Sequence, residues 1–216
     1  MEKDIKDIKE KIRLFRNTPK ILGLDVSTKT TGFALFDING SELLELTHFS
    51  PKIKPQPEDK LEELLKKADA FRSHVEKYKN MGIVKVVIEE PLLNSNNIYT
   101  VQTLLRYNTM ICMVIYELLG IVPVFISTYN SRKFAFPDLV GLNDKGKKVL
   151  FGGYPKDIDK KQVIWDHVNG LFPEIEWLYD KKNKLKKECF DMSDSVCCVI
   201  GYINMVKLDL KDEKTD

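Results

Sequence analysis

Residues 21–36 read ILGLDVSTKTTGFALF. An apolar run carries one carboxylate, Asp25, then turns through Ser27-Thr28-Lys29-Thr30-Thr31-Gly32 and becomes apolar again. The pattern predicts a β-hairpin with strands over 21–27 and 32–38 and Asp25 near the end of the first. A carboxylate at that depth loses hydration unless a positive or hydrogen-bonding group meets it. A metal ion is one such partner, which makes Asp25 the first candidate to pair with acids elsewhere in the chain.

Downstream, Asn39-Gly40 signals a turn, and Leu43 to Phe49 predicts a third strand with Leu44, Leu46 and His48 on one side. His48 reads as a surface or edge residue. Pro51, Pro55 and Pro57 form a stiff connector. Asp59 or Glu58 then caps a helix running to about Lys79, with an apolar stripe of Leu61, Leu64, Leu65, Ala68, Phe71, Val75 and Tyr78. Ile83 to Glu89, IVKVVIE, has the near-continuous apolar character of a strand covered on both faces, and it ends in Glu89-Glu90-Pro91. Strand alternation sends Glu89 and Glu90 to opposite faces, so at most one of them shares a site with Asp25. Pro91 stops the strand.

Asn94-Ser95-Asn96-Asn97 suits a loop or a helix cap. The helix that follows, Tyr99 to Leu119, is apolar over much of its circumference, as a helix sandwiched in a core or buried by a second subunit would be. IVPVFIS, 121–127, predicts the next strand. Tyr129 to Asp157 lacks a sustained period and mixes Arg132, Lys133, Lys145, Lys147 and Lys148 with aromatic residues and glycines. That mixture suits contact with phosphates and exposed bases; an ordinary surface hairpin with solvated lysines has the same composition. Asp159 to Leu171 predicts a helix in which His167 packs structurally. A basic stretch at 177–187, with Lys181 and Lys182 at its centre, reads as a solvated loop able to face DNA. The last element, Asp191 to about Leu208, is an apolar helix with Asp191 and Asp194 on one face of its first turn. Acids there also suit the helix dipole.

The whole chain has 216 residues, 43% hydrophobic and 31% charged, with a formal net charge of +2, which fits one domain with a full core and makes overall charge a weak argument for nucleic acid. Residues 1–20 hold seven Lys/Arg and four Asp/Glu and predict a short amphipathic helix; the N-terminus is too charged for a signal peptide. No stretch approaches 18 uncharged apolar residues, so no membrane span is expected, and the absence of a CxxC pair among the cysteines leads to the expectation of reduced thiols in an intracellular setting. Four cysteines show no metal or redox spacing, and Cys197-Cys198 reads as core. No G-x-x-x-x-G-K-[ST] is present, which excludes a P-loop nucleotide cofactor, and no G-x-S-x-G appears.

Acids at two strand ends and a helix N-terminus can set three or four oxygens around one point. Hard cations such as Mg²⁺ favour such a set. Two such ions can activate water and stabilise the leaving oxygen of a phosphodiester.

With these motifs in place, the chain resembles the RuvC-like Holliday junction resolvases of the ribonuclease H-like superfamily. GLDVSTKTTG at 23–32 is similar to the family's first motif, VVIEEP at 86–91 to its second, and DMSDSVCCVIGY at 191–202 to its last. The resemblance covers most of residues 21–206. It implies an α/β, ribonuclease H-like fold: a mixed central sheet of about five strands with helices on both faces. It divides the chain into an extension at 1–20, a nuclease domain at 21–208 with an insertion at about 129–158, and a polar tail at 209–216. The family's four catalytic, metal-binding carboxylates would fall on Asp25, Glu89, Asp191 and Asp194, with Mg²⁺ or Mn²⁺, two ions per site. A basic residue near the start of the helix after the fifth strand would fall on Lys160 or Lys161. The implied activity is paired, symmetric cleavage of branched DNA by a homodimer, the 99–119 helix supplying much of the dimer contact. Lys29, Asn94, Asn96, Arg132, Lys133, Lys145, Lys147, Lys148, Lys181 and Lys182 are the candidate DNA contacts. The long 134–158 segment, the basic run at 181–187, the N-terminal extension and Phe190-Asp191, where the bacterial family often has His, imply a phage, viral or otherwise divergent member.

Overall fold

The computed structural model describes residues 14–91 and 97–212. Ile5, Ile8 and Ile12 of the expected N-terminal helix lie outside the described residues, as do Asn94 and Asn96; residues 14–17 are helical.

Strands β1 (Lys20–Val26), β2 (Thr31–Asp37) and β3 (Leu43–Phe49) form an antiparallel meander. The chain then crosses over, and β4 (Ile83–Glu89) pairs parallel with β1. The edge strand β5 (Val124–Ile126) pairs parallel with β4, giving the five-stranded order β3-β2-β1-β4-β5. The period-2 alternation of the strands separates two cores. Leu22, Leu24, Phe33, Leu35, Val86 and Ile88 face one side. There they meet helix α1 (Lys60–Val75) and helix α2 (Ile98–Leu119) through Leu64, Phe71, Tyr107 and Ile111. Ile21, Ala34, Phe36 and Val87 face the other side. That side is covered by helices α3 (Thr128–Ala135), α4 (Lys160–Leu171) and α5 (Glu188–Asp212). The α/β architecture with a mixed five-stranded sheet and helices on both faces is therefore present.

Several local expectations change. A register shift between Leu35 and Phe36 puts an extra residue, Leu44, into β3. As a result Leu44 packs with the α1/α2 core while Leu46 packs with the α5 core, so the two do not share a side. Helix α1 is capped by Asp59 and passes into a 3₁₀ turn at Glu76–Tyr78. Its stripe excludes Leu61 and Leu65, which are about half exposed, at 48% and 51%. Glu63 and Lys67 are buried in their stead, 2.6 Å apart, and Lys67 Nζ donates to the Thr28 carbonyl at 2.8 Å. Burial of this pair is tolerated because each charge has a partner. The expected strand at 121–127 shrinks to three residues, since Pro123 has no N–H to give the ladder.

The 129–157 segment is largely ordered structure. Its start is helix α3; then a 3₁₀ turn, Pro137–Leu139, leads into a two-stranded hairpin of β6 (Val140–Leu142) and β7 (Lys148–Leu150). Phe136, Leu139 and Phe151 belong to the core. Helix α5 begins at Glu188, three residues before its expected start, and its side chains from Met192 to Val199 are all buried. Among the described residues α5 alone is long and apolar enough to cross a membrane by length and composition; 61% of its apolar window is buried inside the protein, as the central helix of a core would be. All four cysteines are free, and Cys189, Cys197 and Cys198 are buried.

Candidate active site

Register brings the first two acids together. Leu24 is level with Ile88 in the parallel β1–β4 pair, so Asp25 and Glu89 come next along the two strands. Both lie on the α5 face, in step with Ile21 and Val87, while Glu90 is exposed. Its backbone N–H donates to the Ile126 carbonyl at 2.8 Å. The VVIEEP ending therefore contributes one acid to this face.

The second pair arrives on α5, and Gly32 lets it come close. A Cβ at Gly32 would collide with the backbone carbonyl of Asp191. Only a residue without a side chain allows the helix start to lie on β2 at that depth. Asp191 and Asp194 are thus held by backbone contact with the strand that pairs with β1.

Helix α3 supplies the positive charge. Ser127 caps it, accepting from the Asn130 N–H at 3.2 Å, and buried Ser131 packs its backbone on α5 where Gly201 offers no Cβ. That crossing aims Arg132 inward: its Nη2 donates to Asp194 Oδ1 at 2.9 Å, with side chains only 16% and 7% exposed. Thr128, at the start of the same helix, donates its hydroxyl to Glu89 Oε1. On α4, Asp159 accepts from the Lys161 N–H at 3.0 Å and caps the helix. Lys161 Nζ then lies 4.0 Å from Asp191 Oδ1. Lys160 turns the other way, with its Nζ 5.6 Å from the centre of the Phe151 ring.

The result is a pocket of about 360 Å³ lined by Asp25, Glu89, Arg132, Lys161, Asp191 and Asp194. Exposed Glu90 lines it too, so both acids of VVIEEP border the pocket and only Glu89 does so from the α5 face. Its electrostatics follow from burial and crowding. Part of Asp25 can be reached from the pocket, yet burial raises its pKa well above the carboxylate range, and Glu89, Asp194 and Asp191 add to the effect. Burial and then Asp194 push Glu89 up to about 7, against the pull of Arg132. Burial pushes Asp191 up to about 6, opposed by Lys161. For Arg132 burial works against the charge, and Asp194 and Glu89 more than offset it.

Among the described residues, Glu89 Oε2 and Arg132 Nε are buried without a hydrogen-bond partner. An all-oxygen donor set with an orphaned carboxylate oxygen matches what a hard divalent cation takes. As the side chains stand, Arg132 and Thr128 take up oxygens of Asp194 and Glu89, and among the described residues no three His, Cys, Asp or Glu side chains are arranged to ligate one ion.

The other expected contacts are dispersed. Lys29 is exposed on the β1–β2 turn. Lys133 lies over the Phe134 ring, 4.8 Å from its centre. Lys145, Lys147 and Lys148 are exposed on the β6–β7 hairpin, and Lys181 and Lys182 on a turn closed by the Tyr179–Leu185 bridge. His167 is structural as expected, 2.8 Å from Asp138 Oδ2 and packed on Phe136. Arg132, expected among the outward DNA contacts, is instead part of the acidic pocket, and the role of Thr128 went unseen. The signal for both lay in Ser127, a helix cap in front of a helix too short to show a period.

No protein-family model matches the chain, and no curated protein matches its sequence. Among solved structures, RuvC of T. thermophilus in complex with a Holliday junction substrate matches with a TM-score of 0.56 at 8% identity, over 88% of this chain and 95% of that one. A second Thermus thermophilus RuvC structure matches at 0.52 and 11% identity, over 88% and 96%. The yeast mitochondrial Holliday junction resolvase Ydc2 matches at 0.56 and 11% identity, over 91% and 84%. With most of the length of each of these structures covered and little sequence shared, the chain carries the fold of RuvC and Ydc2.

Proposed function

We propose that the chain is a divalent-metal-dependent, structure-selective endodeoxyribonuclease that resolves four-way DNA junctions by paired, symmetric phosphodiester hydrolysis, leaving 5′-phosphate and 3′-hydroxyl ends. The observation that carries the proposal is the meeting of Asp25, Glu89, Asp191 and Asp194, from three separate parts of the chain, in one pocket of a RuvC-like fold. These four side chains would hold Mg²⁺ or Mn²⁺, with two ions per site. Bound there, the metal would favour attack of water on phosphorus and stabilise the leaving 3′ oxygen. Lys161, 4.0 Å from Asp191, would neutralise phosphate charge that grows in the transition state. Arg132 would hold Asp194 in place and balance part of the acidic charge. Residues 21–208 form the nuclease domain in this proposal, with 129–158 as its insertion. A homodimer would use the outer face of α2, where Ile98, Tyr99, Met113 and Tyr116 are exposed; sedimentation as a monomer at assay concentration would end that part.

The test is cleavage of an immobile symmetric four-way junction beside linear duplex, with Mg²⁺, Mn²⁺ or EDTA. Paired metal-dependent nicks across the junction with the duplex intact are expected, and Asp25→Asn is expected to remove cutting while junction binding stays. An Asp25→Asn protein that cuts at the original rate would sink the assignment. Preferred cutting of flaps or forks would keep the acidic site and change the substrate. A second reading, a junction-binding protein that does not cut, is favoured by one observation: Arg132 sits among the acids where a ligating arrangement would otherwise form. Tight junction binding with no nicks in either metal would select it.

A further inference from the structure

A second cavity, of about 640 Å³, lies beside the acidic pocket and shares Ser27, Lys161 and Asp191 with it. Its charge is predominantly positive. Lys29 from the β1–β2 turn, Lys52 from the segment after β3, and Lys187 just before α5 line it together with Lys161, against Glu188 and the shared Asp191. Lys29, Lys52 and Lys187 are exposed and form no ion pair among the described residues, whereas Lys60, Lys66, Lys67 and Lys77 are each paired with a glutamate. The floor is built from tied hydroxyls. Ser27 Oγ donates to the Thr30 carbonyl at 2.8 Å and accepts from the Thr30 N–H at 3.1 Å, and Thr30 Oγ1 lies 3.2 Å from Ser50 Oγ. The turn that follows Asp25 is thereby tied to the residue after β3, which brings the segments carrying Lys29 and Lys52 together. Phe190 forms one wall of the groove, with Lys161 Nζ 5.9 Å from the centre of its ring.

We infer that this groove binds the phosphodiester backbone of the reacting strand next to the scissile phosphate. The inference rests on the nuclease reading above and adds Lys52 and Lys187 as phosphate contacts, with Lys29 beside them. A strand carries one charge about every 3.4 Å along its axis, so a phosphate held in the acidic pocket has charged neighbours within reach of the adjoining cavity. Acids that gather metal and lysines that gather phosphate then occupy adjoining compartments, and Lys161 and Asp191 form the boundary between them. The volume falls in the range of about 300–1,000 Å³ typical of pockets that enclose a small organic group, which suits a nucleotide better than a lone phosphate.

The experiment is fluorescence anisotropy of the full-length Asp25→Asn protein on a four-way junction over a range of salt, with and without Lys52→Ala plus Lys187→Ala. Both lysines are exposed, so the replacements leave the fold in place. The slope of log K against log salt is expected to fall in magnitude by about 0.7–0.9 for each lysine removed, hence roughly 1.4–1.8 for each protomer bound to the junction. In the otherwise wild-type protein, neutral methylphosphonate at the phosphates flanking the cut is expected to slow cleavage, and the lysine variant is expected to lose that sensitivity. If the parent protein fails to bind the junction, the nuclease reading falls and takes the groove with it. If the Asp25→Asn protein binds the junction and the wild-type protein cuts it, but the lysine variant keeps the full salt slope, the groove assignment alone is overturned.

Discussion

Arg132 offers a direct test of how the acidic pocket is held together. Replacing it with Met keeps most of the side-chain volume and removes the guanidinium that contacts Asp194 at 2.9 Å. The two side chains are 16% and 7% exposed, so the remaining carboxylate cannot recover its hydration. Breaking a buried pair from one side costs about 3–5 kcal/mol. Because the neighbouring Lys161 and Asp191 side chains are 58% and 19% exposed, the lower figure of about 3 kcal/mol applies. At about 2–4 °C per kcal/mol for a chain of this size, Arg132→Met is expected to lower the Tm by roughly 6–12 °C in EDTA. A cation binding the orphaned acids at a hundred times its Kd restores about 2.7 kcal/mol. Mg²⁺ or Mn²⁺ should therefore raise the Tm of the variant, and should raise it more than that of the parent. Adding Asp194→Asn should recover much of the loss, because the uncompensated charge is then gone. Differential scanning fluorimetry of the four proteins, with and without metal, gives the complete cycle. A Tm within a degree of the parent in EDTA would refute the electrostatic account of α3, and an equal metal response in variant and parent would refute the idea that guanidinium and metal compete for the same acids.

Two further outcomes follow from geometry. Gly32→Ala drives a methyl group into the Asp191 carbonyl, and backbone yields poorly, so the cost is expected to be about 1–3 kcal/mol or more, read as a lower urea midpoint together with lost nuclease activity. Lys60 and Lys67 hold the pKa of Glu63 down to about 2, below the ordinary value of 4.5; its stabilising contribution is thus complete above about pH 4.5 and lost as pH falls towards 2. Glu63→Gln is accordingly expected to destabilise the protein at pH 6 and to matter far less at pH 2.5, and equal urea midpoint shifts at both pH values would contradict this.

The hairpin, β3 and β4 were legible because each strand is a seven-residue run set off by turn signals or a proline, and Asp25 stood out as the lone carboxylate of its strand, while the choice of Glu89 over Glu90 came with the family resemblance. The α5 acids were legible because their spacing places them on one helix face. Three features were not. The side exchange of Leu44 and Leu46 depends on one extra residue in β3, which leaves no trace in composition. The stripe of α1 was drawn with Leu61 and Leu65 because hydrophobicity alone cannot show that a Glu63–Lys67 pair will be buried to reach the Thr28 carbonyl. Arg132 was read with the surrounding lysines because a helix of eight residues spans little more than two turns, too few for a period to separate inward from outward positions.

The order of the acids along the chain has a consequence for biosynthesis. Asp25 and Glu89 leave the ribosome before α5, on strands whose α5 face stays uncovered until Glu188 and the residues after it emerge. Until then that face of the sheet lacks the helix that buries Met192, Val196 and Val199 against it, and the first two carboxylates have neither Asp191 nor Asp194 beside them. Folding of this half of the core and assembly of the four acids therefore both wait for α5 to emerge. A prematurely terminated chain has half a core and half a cluster, so incomplete translation products are exposed to proteolysis before they hold the full set of acids.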